Sequence, residues 1–413
     1  MVNLHQLAIN WIDFYYFFTC MKMKVVEGID VAHLKVWVLA PFLETNDANI
    51  DYYYDYSQSI AEYTAVFAEL GVVWEWKQVG MDNFKAVIDL IAATVASEGA
   101  TPILLNLCDG DEINNVPGIS VIHYLLEKQL LFTGADAYFY KVTTSKIPMK
   151  ECFDGYFKND ADMQSLKLLN NSNSTTVATP AWRAIHSMES IPTDIFNVLG
   201  TPIIVKPAIS GGSMGVGIGN VVNNWDELQQ QVSKMFNGYR GWNLTDGGII
   251  AESYIKGCEF TVLIVGDYLR KHEAHIYPPV ERVFHHSLPS HERFLSFDRL
   301  WEIYEDETAM PNDEYFYEYA SPKAALHSSI MELAWDAFEA VKGKGYARID
   351  LRSDENSGQL YVLEVNAQCG ISKDEDYTSI GAILRFANTS FTQLVAEIIN
   401  HNNQYLPIFS ISA

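Results

Sequence analysis

The stretch Gly345–Ser372, GYARIDLRSDENSGQLYVLEVNAQCGIS, joins two apolar segments through a polar turn. β-branched and aromatic residues cluster in YARIDLR and LYVLEVN, and SDENSG has the composition of a turn, so the stretch predicts a β-hairpin. Side chains two positions apart share one face of a strand. Arg348 and Asp350 therefore point the same way, as do Glu364 and Asn366, and antiparallel pairing can bring both pairs onto one patch.

This patch of three oxygen ligands and one guanidinium has two interpretations. Carboxylate and amide oxygens suit Mg²⁺, which in proteins commonly bridges carboxylates to substrate phosphates. The alternative is a surface salt bridge beside two solvated acids, which contributes little to stability. The hairpin alone leaves both interpretations open.

Composition indicates a globular chain of two or three domains. Of its 413 residues, 48% are hydrophobic, which is enough for a large core. The formal charge of −24 argues against a general nucleic-acid surface, which requires a basic face. Five scattered cysteines without CxxC spacing favour a reducing, cytoplasmic location. The apolar run LAINWIDFYYFFTC is too short to span a membrane, so we expect no membrane association and assign residues 1–28 no role.

The first part of the chain, from Leu34 to about Gly134, predicts an α/β domain. LKVWVLA, VVWEWKQV and TPILLNL have the character of buried strands, and the helical segments QSIAEYTAVFAELG and FKAVIDLIAATVA lie between them. Strands that alternate with helices indicate parallel pairing.

The remainder predicts two further hairpins and several helices. IIVKPAI and VGIGNVV flank the glycine-rich tip SGGSMG, and IIAESYI with EFTVLIV forms the next hairpin. Asn224 followed by Glu227 predicts a capping box at the start of WDELQQQVSKMF. Residues 278–321 form a long charged loop, which is typical of a functional or mobile segment.

The glycine-rich tip, SGGSMGVGIG, is a candidate phosphate loop because glycines allow backbone N–H groups to approach an anion. It is not a P-loop, since no GK[ST] follows, and it leads into a strand where a dinucleotide fingerprint requires a helix. A simple tight turn is the competing interpretation. Lys206, just before the glycines, favours phosphate binding.

Four motifs in order, VKPAISGGSMGVG, AESYIKGCEFTV, ARIDLR and VLEVNAQCG, resemble the ATP-grasp fold and specifically the D-alanine–D-alanine ligases. The similarity extends over roughly residues 34–400. It implies an α/β N-terminal domain followed by an α+β ATP-grasp unit, in which two antiparallel sheets clasp ATP. We accordingly divide the chain into the extension 1–28, an α/β domain at 29–137, a central domain at 138–247 and a C-terminal domain with the metal site at 248–405.

The resemblance also implies roles for individual residues. The metal ligands would be Asp350, Glu364 and Asn366, with Mg²⁺ as the ion and Mn²⁺ as the alternative. Arg348 would lie beside the reacting carbonyl, and the backbone of Gly370 would help to hold the tetrahedral intermediate. The implied ATP contacts are Lys141 and Lys206 for the phosphates, Gly211, Gly212 and Ser213 in the loop above them, Glu252 and Ile255 at the adenine, and Glu259 at the ribose.

The reaction implied is C–N bond formation: a carboxylate accepts the γ-phosphoryl group of ATP, and an amine attacks the acyl phosphate. The substrate end departs from the family pattern. Glu44 is the candidate for the first ammonium group, and Glu375 is a second candidate substrate contact. With Asp374 and Asp376, Glu375 forms an acidic turn that would repel a carboxylate, which favours an acceptor amine that lacks one or carries extra positive charge.

The expected partners are small amino acids or amines, with neither nucleic acid nor membrane, and a homodimer is left open. Two alternatives to a D-alanine–D-alanine ligase also stay open. One is an ATP-grasp ligase that joins a different amino acid to an amine or to another amino acid. The other is a nucleotide-binding protein without turnover.

Overall fold

The computed structural model describes residues 34–44, 54–99, 101–155, 176–239, 241–302, 304, 307–311, 314–374, 376 and 378–402. The extension 1–28 and nearly all of residues 157–176 lie outside these ranges. No helix within the ranges is both long and apolar enough to cross a membrane.

The first domain contains a three-stranded parallel sheet, as the alternating pattern predicts. Its strands are β1 (Leu34–Pro41), β2 (Val73–Val79) and β3 (Thr101–Asn106), in the order β2-β1-β3. Helices α1 (Ser57–Leu70) and α2 (Phe84–Glu98) connect them. Helix α1 ends at Gly71, whose left-handed φ of 67° a glycine adopts without steric cost.

Three helices follow the parallel sheet: α3 (Ile119–Glu127), α4 (Ala137–Thr144) and α5 (Lys146–Gly155). Ser145 has an extended backbone and separates α4 from α5, so the two helices leave it in different directions. Phe139 of α4 packs edge to face on Phe338 of the C-terminal part of the chain, with ring centroids 5.6 Å apart. The N-terminal and C-terminal regions therefore share a hydrophobic core.

The second sheet has four antiparallel strands in the order β4-β7-β5-β6. They are β4 (Trp182–Ile185), β5 (Ile203–Pro207), β6 (Val221–Val222) and β7 (Ile249–Ser253), with helices α6 (Ile195–Leu199) and α7 (Trp225–Phe236). The predicted strand VGIGNVV is reduced to the two residues of β6. The Asn220 side chain accepts from Gly217 N at 2.8 Å and donates to Val205 O at 2.7 Å, which replaces regular ladder bonds.

The capping box predicted at the start of α7 forms in part: Asn224 Oδ1 accepts from Glu227 N at 3.0 Å, which confirms Asn224 as the N-cap. The reciprocal bond is displaced by one residue, because Glu227 Oε2 accepts from Asn223 N at 2.7 Å.

The third sheet has six strands and contains the opening hairpin. Its main path is β11-β10-β8-β12-β13, with β9 paired to β8. The strands are β8 (Glu259–Asp267), β9 (His275–Ile276), β10 (Val280–Phe284), β11 (Tyr317–Ala320), β12 (Lys344–Ser353) and β13 (Leu360–Ala367). The hairpin of β12 and β13 is confirmed. The prediction that IIAESYI pairs with EFTVLIV is wrong, because β7 and β8 belong to different sheets and the chain between them crosses from one sheet to the other.

The segment 278–321, expected as a long loop, contributes β10, the short helix α8 (Phe297–Leu300) and β11. After it come α9 (His327–Ala340), α10 (Ser379–Ala387) and α11 (Phe391–Asn400). The two antiparallel sheets face each other across a cleft of about 740 Å³. This cleft collects most of the polar residues singled out in the sequence.

Candidate active site

The hairpin places its four polar residues on one patch, as the two-residue period predicts. In the register of β12 and β13, Arg348 lies opposite Asn366 and Asp350 lies opposite Glu364. Asn366 Nδ2 donates to Asp350 Oδ2 at 3.0 Å and to Glu364 Oε1 at 3.3 Å. Arg348 donates two hydrogen bonds to Asp350, from Nε to Oδ1 at 3.0 Å and from Nη2 to Oδ2 at 2.8 Å. All four residues line the cleft, so the oxygen-rich patch faces it.

The electrostatic balance of the patch keeps Glu364 ionised. Burial alone would raise the pKa of Glu364, but the charges of Lys146, Arg348 and Lys206 lower it to about 2. The pKa of Arg348 is raised where that of Glu364 is lowered. Burial disfavours the charge of Arg348, but the negative charge of Asp350 raises its pKa above the usual range. The Glu364 carboxylate is thus charged at neutral pH, and it lies beside the Asp350–Arg348 ion pair.

A chain of charges connects the two sheets. Lys146 Nζ lies 3.4 Å from Glu364 Oε2 and 3.5 Å from the carbonyl oxygen of Ser210. Lys206 pairs with Glu252, which also pairs with the fully buried Lys150 at 2.9 Å. Burial opposes the charge of Glu252, but the two lysines lower its pKa to about 2. Lys146 and Lys206 both line the cleft beside the hairpin patch.

Two predicted contacts are not in the cleft. Lys141 is exposed on α4 and is absent from the lining, so its assignment to a phosphate is corrected; the bend at Ser145 directs Lys146 inward instead. Glu44 is exposed just beyond β1 and does not line the cleft either. Glu375 lies outside the described residues, and neither Asp374 nor Asp376 lines the cleft.

The glycine-rich tip covers one side of the cleft. Gly211, Gly212 and Ser213 all line it, and the backbone of Gly212 and Ser213 is left-handed, with φ of 54° and 61°. Trp301 Nε1 donates to Gly212 O at 2.9 Å, and a Cβ at Gly212 would lie 3.2 Å from the Trp301 ring. A side chain at Gly212 would therefore press on the residue that holds this loop in place.

The crossing between the sheets forms the end wall of the cleft. Ile255 lines this wall, as does the buried Glu259 at the start of β8. Glu259 is bound by Arg282 of β10, whose guanidinium stacks at 5.3 Å from the Tyr317 ring centroid and 5.6 Å from that of Tyr319. Arg282 must share Glu259 with any hydroxyl group that the acid binds.

Gly370, three residues after the end of β13, lines the cleft, as Arg348 does. Of the site residues predicted from the sequence, the cleft is lined by Arg348, Gly370, Lys206, Gly211, Gly212, Ser213, Glu252, Ile255, Glu259, Asp350, Glu364 and Asn366.

The donor set of the patch fits a hard divalent cation. Two carboxyl groups and one amide converge within hydrogen-bonding distance, which is the oxygen chemistry that Mg²⁺ favours. Asn366 presents its Nδ2 to both acids, and a half-turn of the terminal amide would present Oδ1. The described ranges contain no group of three or more His, Cys, Asp or Glu that could hold a metal. The amide oxygen is therefore needed to complete a three-ligand set.

Several cleft residues were missed from the sequence. Lys146 could have been found, because SKIPMK places a lysine at the start of a predicted helix. Arg282 and Trp301 lie in the segment expected as a loop and carry no local signal. Asp109 and Asp111 follow the predicted strand TPILLNL, and the carboxyl end of a parallel strand is a common position for ligand contacts.

Comparison with known proteins decides the family. Residues 169–400, more than half of the chain, match the model described as D-ala D-ala ligase C-terminus. The chain belongs to this family. The matched region includes β5, the glycine-rich tip and the complete β12–β13 hairpin.

Two curated relatives cover less of the chain. A D-alanine–D-alanine ligase of Xanthomonas axonopodis pv. citri (strain 306) is 30% identical over 174 residues, 42% of this chain and 45% of that protein. One of Stutzerimonas stutzeri (strain A1501) is 26% identical over 204 residues, 49% of this chain and 54% of that protein. The chain thus spans about half the length of the curated relatives it matches.

Solved structures extend the likeness to most of the fold. A D-alanine–D-alanine ligase from Bacillus anthracis, complexed with ATP, superposes with a TM-score of 0.55 at 17% identity and covers 89% of this chain and 97% of that one. An L-amino acid ligase from Bacillus licheniformis gives 0.51 at 16% identity and covers 89% of this chain and 74% of that one. The fold is that of the ATP-grasp ligases.

Proposed function

We propose that the protein is an ATP- and Mg²⁺-dependent ligase that joins a carboxylate to an amine through an acyl phosphate. The observation that carries the proposal is the meeting of Lys146 and Glu364, 3.4 Å apart, at the point where the two sheets converge. Lys146, which can neutralise phosphate charge, and the acid patch, which can hold a metal ion, then lie in one cleft beneath a glycine-rich loop. That combination suits phosphoryl transfer, in which the protein mainly positions groups and offsets charge.

In the first step, a carboxylate oxygen attacks the γ-phosphorus of ATP, the bond to the β–γ bridging oxygen breaks, and ADP leaves. Lys146 and Lys206 offset the negative charge on the transferred group. Asp350, Glu364 and Asn366 would hold Mg²⁺, which when bound neutralises charge on the phosphate oxygens. The backbone N–H groups of the glycine-rich loop are available to the same oxygens.

In the second step, the amine nitrogen attacks the acyl carbon, and the carbonyl oxygen becomes an oxyanion. The guanidinium of Arg348 and the backbone N–H of Gly370 stabilise that charge. The carbon–oxygen bond to phosphate then breaks, giving an amide, orthophosphate and the proton lost from nitrogen. The two hydrogen bonds from Arg348 to Asp350 fix the guanidinium in position for this role.

Exclusion of water is the remaining requirement, because an acyl phosphate hydrolyses readily. The glycine-rich loop is tied to the 297–307 region by three bonds: Trp301 to Gly212, Phe297 N to Val216 O at 2.8 Å, and Ile218 N to Glu307 Oε1 at 2.9 Å. These ties support a covered cleft during the reaction.

A D-alanine–D-alanine ligase activity is the specific form that the curated relatives' names suggest. A ligase for other amino acids is the second candidate, favoured by the exposed position of Glu44 and by the likeness to an L-amino acid ligase. Binding of nucleotide without turnover is disfavoured because Lys146, Lys206, the acid patch and Arg348 all line one cleft. The free cysteines of the described ranges support a reducing, cytoplasmic setting.

The test is orthophosphate release from Mg·ATP across a matrix of D- and L-amino acids and amines, followed by product mass. The proposal predicts release that depends on a carboxylate and an amine together, with a product mass equal to their sum minus water. Release that no amino acid or amine stimulates would contradict it.

A further inference from the structure

The cleft is lined by six acids, and their pairing divides them into two groups. Four have a cationic partner: Glu252 with Lys150 and Lys206, Glu259 with Arg282, Asp350 with Arg348, and Glu364 with Lys146. Asp109 and Asp111 are the two cleft acids that have no ion pair with any residue in the described ranges. The cleft cations therefore gather at the nucleotide and metal end, and the end after β3 is acidic.

Asp109 is the more available of these two carboxylates. Asp111 Oδ1 accepts from Asn114 N at 3.2 Å, whereas within the described part of the chain Asp109 has no side-chain hydrogen bond to another residue. The Asp109 side chain meets solvent in the cleft, but protein packs around it closely enough for desolvation to raise its pKa to about 6. A carboxylate in this position gains free energy from an incoming cation.

The backbone around Asp109 is held rigidly. Cys108 O accepts from Gln368 Nε2 at 2.7 Å, and Gly110 O accepts from the hydroxyl of Tyr140 at 2.7 Å. Gly118 lies so near that a Cβ on it would overlap the carbonyl oxygen of Gly110. The fixed backbone presents the carboxylate in one place, as a recognition site requires.

A buried hydroxyl provides a second sign of an incomplete site. Tyr346 is fully buried, and its hydroxyl has no hydrogen-bond partner within the described ranges. Tyr346 precedes Arg348 by two residues on β12, so the two side chains share one face of the strand. Tyr346 O accepts at 3.1 Å from the backbone of Gln368, whose side chain binds Cys108 beside Asp109. An unpartnered buried hydroxyl costs free energy that a bound polar group or its water can offset.

Asp109 also lies near the reacting end of the cleft. The carbonyl oxygen of its neighbour Cys108 accepts from Gln368 Nε2 at 2.7 Å, and Gln368 precedes Gly370 by two residues. An α-amino acid carries its carboxylate and ammonium a few bonds apart. A cation at Arg348 and an anion at Asp109 match that polarity.

We infer that Asp109 binds the ammonium group of the amino acid whose carboxylate is phosphorylated. The inference rests on the proposed ligase function and replaces Glu44 with Asp109 as the ammonium contact. An ammonium held by Asp109 stays protonated and does not act as a nucleophile, so the amine that attacks must come from the second substrate.

The test is calorimetric binding in the presence of Mg²⁺ and a non-hydrolysable ATP analogue. The probes are D-alanine, L-alanine and the other proteinogenic L-amino acids, each beside its des-amino carboxylic acid. The variants are Asp109→Asn, which preserves the shape of the side chain, and Glu44→Gln, which removes the negative charge of the residue predicted from sequence to bind the ammonium group. Thermal unfolding and analogue affinity check that both variants fold.

At least one amino acid should bind the wild type, and Asp109→Asn should weaken it by about 30-fold or more, the loss expected for a charge-assisted hydrogen bond. Its des-amino acid should bind both proteins equally, and Glu44→Gln should change affinity by less than about 3-fold. An amino acid that binds Asp109→Asn as tightly as wild type, a large loss in Glu44→Gln, or no amino-acid binding at all would overturn the inference. Asp109-dependent binding without phosphate release would instead contradict the ligase proposal alone.

Discussion

Lys146 Nζ lies 3.4 Å from Glu364 Oε2, so the first residue of α5 reaches the acid patch of the β12–β13 hairpin. Lys146 is also anchored through its backbone, because its N–H donates to Ala208 O of the segment after β5 at 2.8 Å. Lys146 thereby connects the central sheet, the glycine-rich loop and the acids that are the candidate metal ligands. The chemistry proposed for the cleft depends on this junction.

Replacement of Lys146 by methionine should lower kcat by about 100-fold or more, because one positive charge at the transferred phosphoryl group is lost. The measurement is orthophosphate release with the best substrate pair of the matrix. Lys141→Met is the matched control and should change kcat by less than about 3-fold. Greater damage from Lys141→Met than from Lys146→Met would restore the assignment made from sequence.

Glu364→Gln should nearly abolish turnover while the fold persists, because the patch loses one of its two charged metal ligands. Turnover should be followed across a Mg²⁺ titration, and the variant should need far more Mg²⁺ for any residual rate. Glu332→Gln, an exposed acid on α9, is the control and should behave as wild type. Unchanged activity in Glu364→Gln would remove the metal assignment.

The β12–β13 site was predictable because its information is local. A period of two, a polar turn and four polar side chains fix both the hairpin and the face that Arg348 and Asp350 share. The separation of β7 and β8 into two sheets was not predictable from the sequence, because strands adjacent in the chain ordinarily pair and here the chain crosses to another sheet between them. The sequence does not show which of Lys141 and Lys146 enters the cleft. That choice is made by the bend at Ser145, which depends on how α4 and α5 pack. The role inferred for Asp109 can be recognised only when the ion-pair partners of the other cleft acids are known.

Glu252→Gln should lower the free energy of unfolding at pH 7 by about 3–5 kcal/mol, because Lys150 and Lys206 would be left without their shared anion. The folded-state pKa of Glu252 is lowered to about 2 from an ordinary 4.5. Its stabilising contribution is therefore full above about pH 4.5 and is lost as pH falls toward 2.

Urea unfolding at pH 7 and pH 3 checks this prediction. The gap in unfolding free energy between wild type and Glu252→Gln should narrow at pH 3, whereas the exposed control Glu127→Gln should match wild type at both values. A gap that is absent at pH 7, or that widens in acid, would show that the buried charges are not coupled in this way.

Trp301→Phe should loosen the glycine-rich loop, because phenylalanine keeps an aromatic ring but cannot donate to Gly212 O. The lost hydrogen bond is worth about 1 kcal/mol, so we expect a rise of roughly 5-fold in KM for ATP. Less amide should also form per ATP consumed, because water gains access to the acyl phosphate. Trp182→Phe, which loses an exposed bond to Asp154, is the control. Full coupling and an unchanged KM in Trp301→Phe would mean that Trp301 does not hold the loop.

The transfer of oxygen from substrate to phosphate tests the central claim most directly. An amino acid that supports turnover is labelled with ¹⁸O in its carboxylate, and the orthophosphate formed is examined by mass. Phosphorylation of the carboxylate predicts one ¹⁸O atom in each orthophosphate, together with ADP. Unlabelled orthophosphate formed alongside amide, or AMP in place of ADP, would contradict the acyl-phosphate account.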